Sequence, residues 1–331
     1  MPKSPSPLPT SLGTHFSTTA ALDEGLTRRR MRGGDLIAPF HGARRRLDDL
    51  AREQAECDAI TGPMSLSRRT ALAVKGRALA YASVMPKGAF LCGRTAAAIR
   101  ALPVRHGEEL EFGVLAPQRA PRASGIRGRK IEPHLVGLEV FDGLPISTPA
   151  TTWAMLGRDL SLRELIVLAD AMLFIPRDSF ARRHPELAIA TRDELQAALD
   201  AGRRAGIARL TQALALSVTG SASPLETDYR LDAAAAGLPV PALDVEIRDE
   251  RGRLLGVSEI VYEKYRVAVE IEGDHHRTSV AQWNRDIDKV RAYMNAGWHV
   301  ERLTGAHVRR QRNGVAIVRE ALVRRGWRPG R

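Results

Sequence analysis

The sequence predicts an α/β protein whose C-terminal part forms one contiguous mixed sheet flanked by helices, in the order α-β-β-β-α-β-α. Three observations predict it. Ser223-Pro224-Leu225-Glu226 opens a helix that runs to Ala236, where Gly237 and the Pro239/Pro241 pair stop it. Leu243–Asp249 and Leu254–Tyr262 alternate as strands around a Glu250–Arg253 turn, and Arg266–Ile271 is apolar enough for a central strand. Val280–Ala296 then has helical spacing, closed by Gly297, before a fourth strand over Trp298–Leu303 and a basic helix over Val308–Arg325.

The preceding residues predict an α+β module. Residues 1–20 are rich in Pro, Ser and Thr and read as a disordered tail. In 21–65, Leu22, Leu26 and Met31 have helical spacing, Gly33-Gly34 breaks the pattern, Asp35–Ala38 reads as a short strand, and Arg44-Arg45-Arg46 opens another helix. That order suits a winged helix; an ordinary solvated basic helix is the plainer reading of the same composition. Over 66–215, helices are expected at Leu66–Met85, from Gly93 to before Pro103, from Ala150, and at Leu162–Phe174, Arg192–Ala201 and Ile207–Leu216. Strands are expected at Leu110–Leu115 and Ile131–Val140, with a basic hairpin or loop over Pro117–Lys130. Residues 216–331 form the last domain.

The chain has 331 residues, about two domains' worth, with 44% hydrophobic and 27% charged residues, which excludes a fibrous or wholly disordered protein. No apolar run is long enough for a membrane span, the first residues lack a signal-peptide layout, and Cys57 and Cys92 are too few for a disulfide framework. A cytoplasmic location is expected. The formal charge of +12 is uneven: residues 1–216 carry +9, residues 217–308 carry −4 and residues 309–331 carry +7. The excess suits a polyanionic partner, although an Arg-rich surface alone would give the same sum. Arg119, Arg122, Arg127, Arg129 and Lys130 in the basic loop, and Arg309, Arg310 and Arg312 beside the tail helix, are the candidate phosphate contacts. Aromatic residues make up only 5%, which favours duplex over single-stranded nucleic acid.

The acidic island carries the candidate chemistry. Glu226 lies on the opening helix, Glu259 on the second strand, and Glu270 and Glu272, two residues apart, share one face of the third. Asp274 and His275-His276 follow Gly273. Several carboxylates at one locus repel unless a cation joins them, and hard oxygen donors suit Mg²⁺ or Mn²⁺. Such an ion could clamp a phosphate and activate water, with a neighbouring histidine as acid or base. Taken singly, a strand Glu is usually surface and a lone His usually structural.

Ser223–Thr227, Gly237-Leu238-Pro239 and Val267–Arg277, followed by Asp286, Lys289 and Gly297–Arg302, resemble an actinobacterial domain-of-unknown-function family. It belongs to the PD-(D/E)xK nuclease superfamily and is related to Vsr-like endonucleases. The resemblance covers about 90 residues and implies a restriction-endonuclease-like fold. Gly93–Pro103, Leu144–Pro149 and the Asp170-Ala171 helix more loosely resemble an abortive-infection, AbiEi-type antitoxin module. The nuclease resemblance implies a metal-dependent DNA endonuclease with Glu259 and Glu270 as metal acids, Glu226 as the helix carboxylate and His276 as the family's histidine. Glu272 stands where relatives have Asp before Gly. Lys289 and Arg302 would buttress the site or contact phosphate. Relatives usually carry Asp at the position of Glu259, and Glu272 also occupies the place of the motif lysine. The alternative is a DNA-binding regulator or antitoxin that keeps the nuclease fold as a scaffold. The N-terminal module would then contact DNA or a protein partner.

Overall fold

The computed structural model describes residues 6–62, 64–272 and 280–329. It is a mixed α/β chain of two compact units: Met1–Ile60, Met64–Asp159 and Leu195–Ile207 in the first, and Thr61–Pro63, Leu160–Glu194 and Ala208–Arg331 in the second.

The first unit begins with β1 (His15–Ser17), α1 (Thr18–Asp23), β2 (Leu36–Ile37) and β3 (Ala43–Arg46), the strands forming a small sheet in the order β1-β3-β2. For residues 6–20 this corrects the expectation of a disordered tail. Leu12 and Phe16 are buried with Ala21 and Met31, and Ser17 caps α1 by accepting the Ala20 amide at 3.0 Å. Two apolar side chains placed on the same small core outweigh a polar composition. Arg44–Arg46 forms strand, not helix. Alternation turns Ala43 and Arg45 inward, where Arg45 pairs with Glu53 of α2 (Leu47–Ala59). Arg44 and Arg46 donate to the carbonyls of Met31, Gly13 and Pro9. The run therefore stitches the small sheet together.

Next come α3 (Ser65–Ala82), β4 (Phe90–Leu91), α4 (Gly93–Ile99), β5 (Leu110–Leu115), β6 (Arg122–Ala123), β7 (Ile126–Ile131), β8 (Leu138–Phe141), β9 (Leu144–Ser147) and α5 (Pro149–Met155). The strands order as β6-β7-β5-β4-β9-β8 over a core that includes Tyr81, Leu91, Phe112 and Ile146. The basic 117–130 segment forms the β6–β7 hairpin, with Arg122 opposite Arg127. The expected strand over 131–140 begins only at Leu138, because Pro133, which has no amide to donate, leads a short 3-10 turn over Pro133–Leu135.

The rest of the chain is α6 (Leu162–Leu173), α7 (Arg192–Asp200), α8 (Ile207–Leu216), α9 (Pro224–Ala235), β10 (Ala242–Arg248), β11 (Leu254–Tyr262), β12 (Val267–Glu272), α10 (Val280–Asn295), β13 (His299–Thr304) and α11 (Gly314–Arg324). Strands β10 to β13 form one sheet in sequence order, antiparallel up to β12 and then parallel. A parallel neighbour needs a crossover, and α10 supplies it. Alternation gives the sheet two apolar faces. Ile260, Val267, Val269 and Leu303 pack with Tyr229 of α9 and Val318 and Leu322 of α11. Val261, Ala268 and Ile247 pack with Tyr293 of α10.

Two boundaries differ from expectation. The second unit includes 160–194, well before 216: Arg163 pairs with Asp228 and Asp232, and Asp170 bonds Thr227 and Arg230. The tail is also not one helix. Ala306–Arg310 is a single π turn, Arg312 adopts a left-handed φ of 53°, and α11 starts at Gly314.

Candidate active site

Each carboxylate in the acidic island is held by a different element. Ser223 caps α9 by accepting the Glu226 amide at 3.3 Å, and Glu226 Oε2 accepts the Ala222 amide at 2.8 Å, leaving Glu226 only 3% exposed. The β11–β12 ladder runs from Tyr262 opposite Val267 to Ile260 opposite Val269. Just beyond it the Ile271 amide donates to Glu259 Oε2 at 2.8 Å, so a side chain takes the place of a ladder carbonyl. Glu270 Oε1 accepts the hydroxyl of fully buried Ser258 at 2.6 Å, and Lys289 Nζ of α10 lies 2.9 Å from both of its oxygens.

The electrostatics couple these groups. Burial pushes the Glu226 carboxyl up to about 7, against the amide and hydroxyl that stabilise its charge, and the charges of Glu270 and Asp244 push the same way. Burial also raises Glu259 well above the carboxylate range, helped by the charges of Glu226 and Glu270 and opposed by the Ile271 amide and Lys289. Glu226, Glu259 and Glu270 are thus near enough to act on one another's charge, with Asp244 acting on Glu226 and Lys289 on Glu259. The Lys289 ammonium also sits 5.5 Å from the Tyr293 ring centroid. The buried Tyr293 hydroxyl has no hydrogen-bond partner among the described residues.

Folding raises both carboxyls, so in metal-free buffer the native chain holds more protons than the unfolded chain between the ordinary glutamate value of 4.5 and about 7. Stability should therefore fall as pH rises through that window, and Glu226→Gln should flatten the fall. Urea midpoints of the two proteins across the window check this; parallel curves would refute it.

The remaining candidates are distributed unevenly. Glu272 pairs with Arg302 of β13, whose register position is opposite Glu270. His276, with Asp274 and His275, lies outside the described residues. Arg129 bridges Glu111 and Asp159 at 2.8 and 2.7 Å, and Arg127 reaches Glu111 at 3.9 Å. Arg309 holds Asp228 at 2.7 Å. In the tail helix, Arg319 donates to the Ala236 carbonyl and Arg325 to the Tyr265 carbonyl. Those arginines have partners on their own units, although Arg127, Arg309 and Arg325 stay exposed; Arg119, Arg122, Lys130, Arg310 and Arg312 are exposed too. Asp244 and Ser258 carry no sequence signal for the site, since only the register brings them there. Lys289 was visible only as a polar position on its helix.

As donors for Mg²⁺ or Mn²⁺, Glu259 and Glu270 fit in kind, being hard carboxylate oxygens. They do not form a closed cage. Among the described residues no three His, Cys, Asp or Glu side chains are arranged to hold a metal. An ion here would complete its shell with water and phosphate oxygens, as Mg²⁺ commonly does. Among the described residues no helix is long and apolar enough to cross a membrane. No protein-family model, curated protein or solved structure matches the chain.

Proposed function

We propose that the second unit is a metal-dependent endodeoxyribonuclease with a restriction-endonuclease-like core, acting on duplex DNA. The observation that supports this most is the Glu270–Lys289 pair beside Ser258, with buried Glu226 and Glu259 near enough to act on it and on each other electrostatically. Buried like charges are costly to gather without a cation to join them. Glu259 and Glu270 would hold Mg²⁺ or Mn²⁺, which when bound polarises a phosphodiester and lowers the pKa of an attacking water. Glu226, buried and protonated more readily than an ordinary carboxyl, would fix the Glu259 side of the site. Lys289, at hydrogen-bond distance from Glu270, offers an ammonium in place of the motif lysine that this chain lacks, to hold a phosphate oxygen. Arg310 and Arg312, exposed, would contact backbone phosphates. In the first unit, the exposed Arg119, Arg122 and Lys130 would contact DNA or an acidic protein partner.

One observation favours the second reading, a DNA-binding regulator on a retained nuclease scaffold. Both Glu270 oxygens already have partners in Ser258 and Lys289, so a metal must compete with them. Supercoiled plasmid incubated with the protein in Mg²⁺, Mn²⁺ or EDTA separates the two. Nicking in metal and none in EDTA is the expected result; retardation of the plasmid without cleavage in any metal would assign the regulator.

A further inference from the structure

The segment joining α6 to α7 contains a small hairpin with a bare aromatic at its tip. Arg177 and Arg183 form an antiparallel bridge, the Asp178 amide donates to the Arg182 carbonyl at 2.9 Å, and the His184 amide donates to the Pro176 carbonyl at 2.8 Å. Asp178 Oδ1 accepts the amides of Phe180 and Arg182, both at 2.9 Å, and Ala181 takes a left-handed φ of 64°. The turn is therefore held from inside, and it leaves Phe180 87% exposed. Burying a phenyl ring is favourable, a gain this hairpin forgoes within its own unit.

The foot of the hairpin is fixed to β10. Arg177 Nε lies 2.8 and 2.9 Å from the two Asp244 oxygens, Arg177 Nη1 lies 2.9 Å from Glu246, and Arg183 Nε lies 2.9 Å from Asp244 Oδ2. Asp244 itself adopts a left-handed φ of 52° within the strand, a conformation these bonds hold. A cavity of about 540 Å³ lies between hairpin and strand, lined by Arg177, Arg182, Arg183, Asp244 and Glu246 among others. The β10–β11 register, with Leu243 opposite Ile260 and Val245 opposite Ser258, sets Asp244 beside Glu259. The hairpin thus stands beside the carboxylate site, with Arg177 and Arg183 neutralised and the exposed Arg182 side chain without a partner among the described residues.

We infer that the 176–184 hairpin is a DNA wedge: Phe180 inserts against a base step of the duplex while Arg182 contacts the adjoining backbone phosphate. The inference rests on DNA being the substrate of the neighbouring site and adds to it a specificity element. An apolar wedge favours steps that unstack cheaply, so local deformability would select the position cut. A rigid aromatic paired with a cation suits a polyanion whose interior is a stack of π faces.

The test compares the full-length wild type with Phe180→Ala and Phe180→Trp for affinity to a short labelled duplex, for plasmid cleavage and for thermal unfolding. Phe180→Ala should weaken duplex binding about tenfold or more, as loss of one stacking side chain does, with an unchanged melt. The added tryptophan of Phe180→Trp should be quenched by the duplex. Wild-type affinity in Phe180→Ala would overturn the wedge and leave the nuclease standing. A wild type that neither binds nor cuts DNA would overturn both. A Phe180→Trp signal that responds to anionic phospholipid vesicles but not to duplex would also overturn it, and would assign the tip to a membrane surface.

Discussion

Replacing Glu270 by alanine should lower metal-dependent plasmid cleavage by on the order of a thousandfold, about 4 kcal/mol of transition-state stabilisation. The size follows from how much meets at this side chain. It is one of two proposed metal acids, it accepts the Ser258 hydroxyl, and it forms an ion pair with Lys289. Its loss would remove a metal donor and release the ammonium from its position. Glu270→Gln separates these roles, since it keeps the shape and an acceptor for Ser258 but loses the charge. Both variants should lose cleavage, and neither should lose duplex affinity, because phosphate contacts lie elsewhere. Lys289→Met should lower cleavage less, while sparing binding of Mn²⁺ followed by calorimetry. If Glu270→Ala cuts at the wild-type rate, Glu270 is not a metal acid and the cleavage does not arise at this carboxylate cluster.

How much of this was legible in the sequence depends on the range of the interactions. Elements with a clean period came through within a residue or so: Leu110–Leu115, Ile207–Leu216 and Leu254–Tyr262 are bounded as expected. The order of the C-terminal strands, and with it one mixed sheet, followed from turn residues and from the helix between the last two strands. The Arg44–Arg46 run misled because basic residues were read as a solvated helix face, when a strand can bury every second arginine against a glutamate. Glu259 and Glu270 are legible as neighbours because the hairpin joining β11 to β12 sets them on adjacent strands. Glu272 shares a strand face with Glu270 but takes Arg302, which the β12–β13 register sets opposite Glu270 and which reaches diagonally along the strand. Ser258 and Asp244 had no local signal, since each acts through a partner on another element. The hairpin at 176–184 is invisible for the same reason: its anchor, Asp244, lies 67 residues from Arg177.

The other large effect expected is structural. Asp170→Ala should destabilise the second unit by roughly 3–5 kcal/mol, the range for removing one partner of a buried ion pair. Asp170 is 1% exposed on α6. Its Oδ1 accepts the Val218 amide at 2.8 Å, and its Oδ2 accepts the Thr227 hydroxyl and the Arg230 guanidinium, each at 2.9 Å. Alanine would strand three donors at once, one of them a charge whose Nε already lacks a partner among the described residues. Asp170→Asn, which keeps the shape and part of the bonding, should cost less, about 1–3 kcal/mol. A paired Asp170→Leu/Arg230→Met replacement should cost less than Asp170→Ala alone, because it leaves no buried charge unmatched. Urea midpoints with unchanged slopes measure all three. The effect should also reach the site: Thr227 and Arg230 lie on α9, the helix that carries Glu226, so loosening Asp170 frees that carboxylate to move. Cleavage by Asp170→Ala should therefore fall more steeply on warming than cleavage by the wild type. An Asp170→Ala midpoint equal to that of the wild type would mean that water replaces the lost carboxylate, and that α9 is held by its apolar contacts alone.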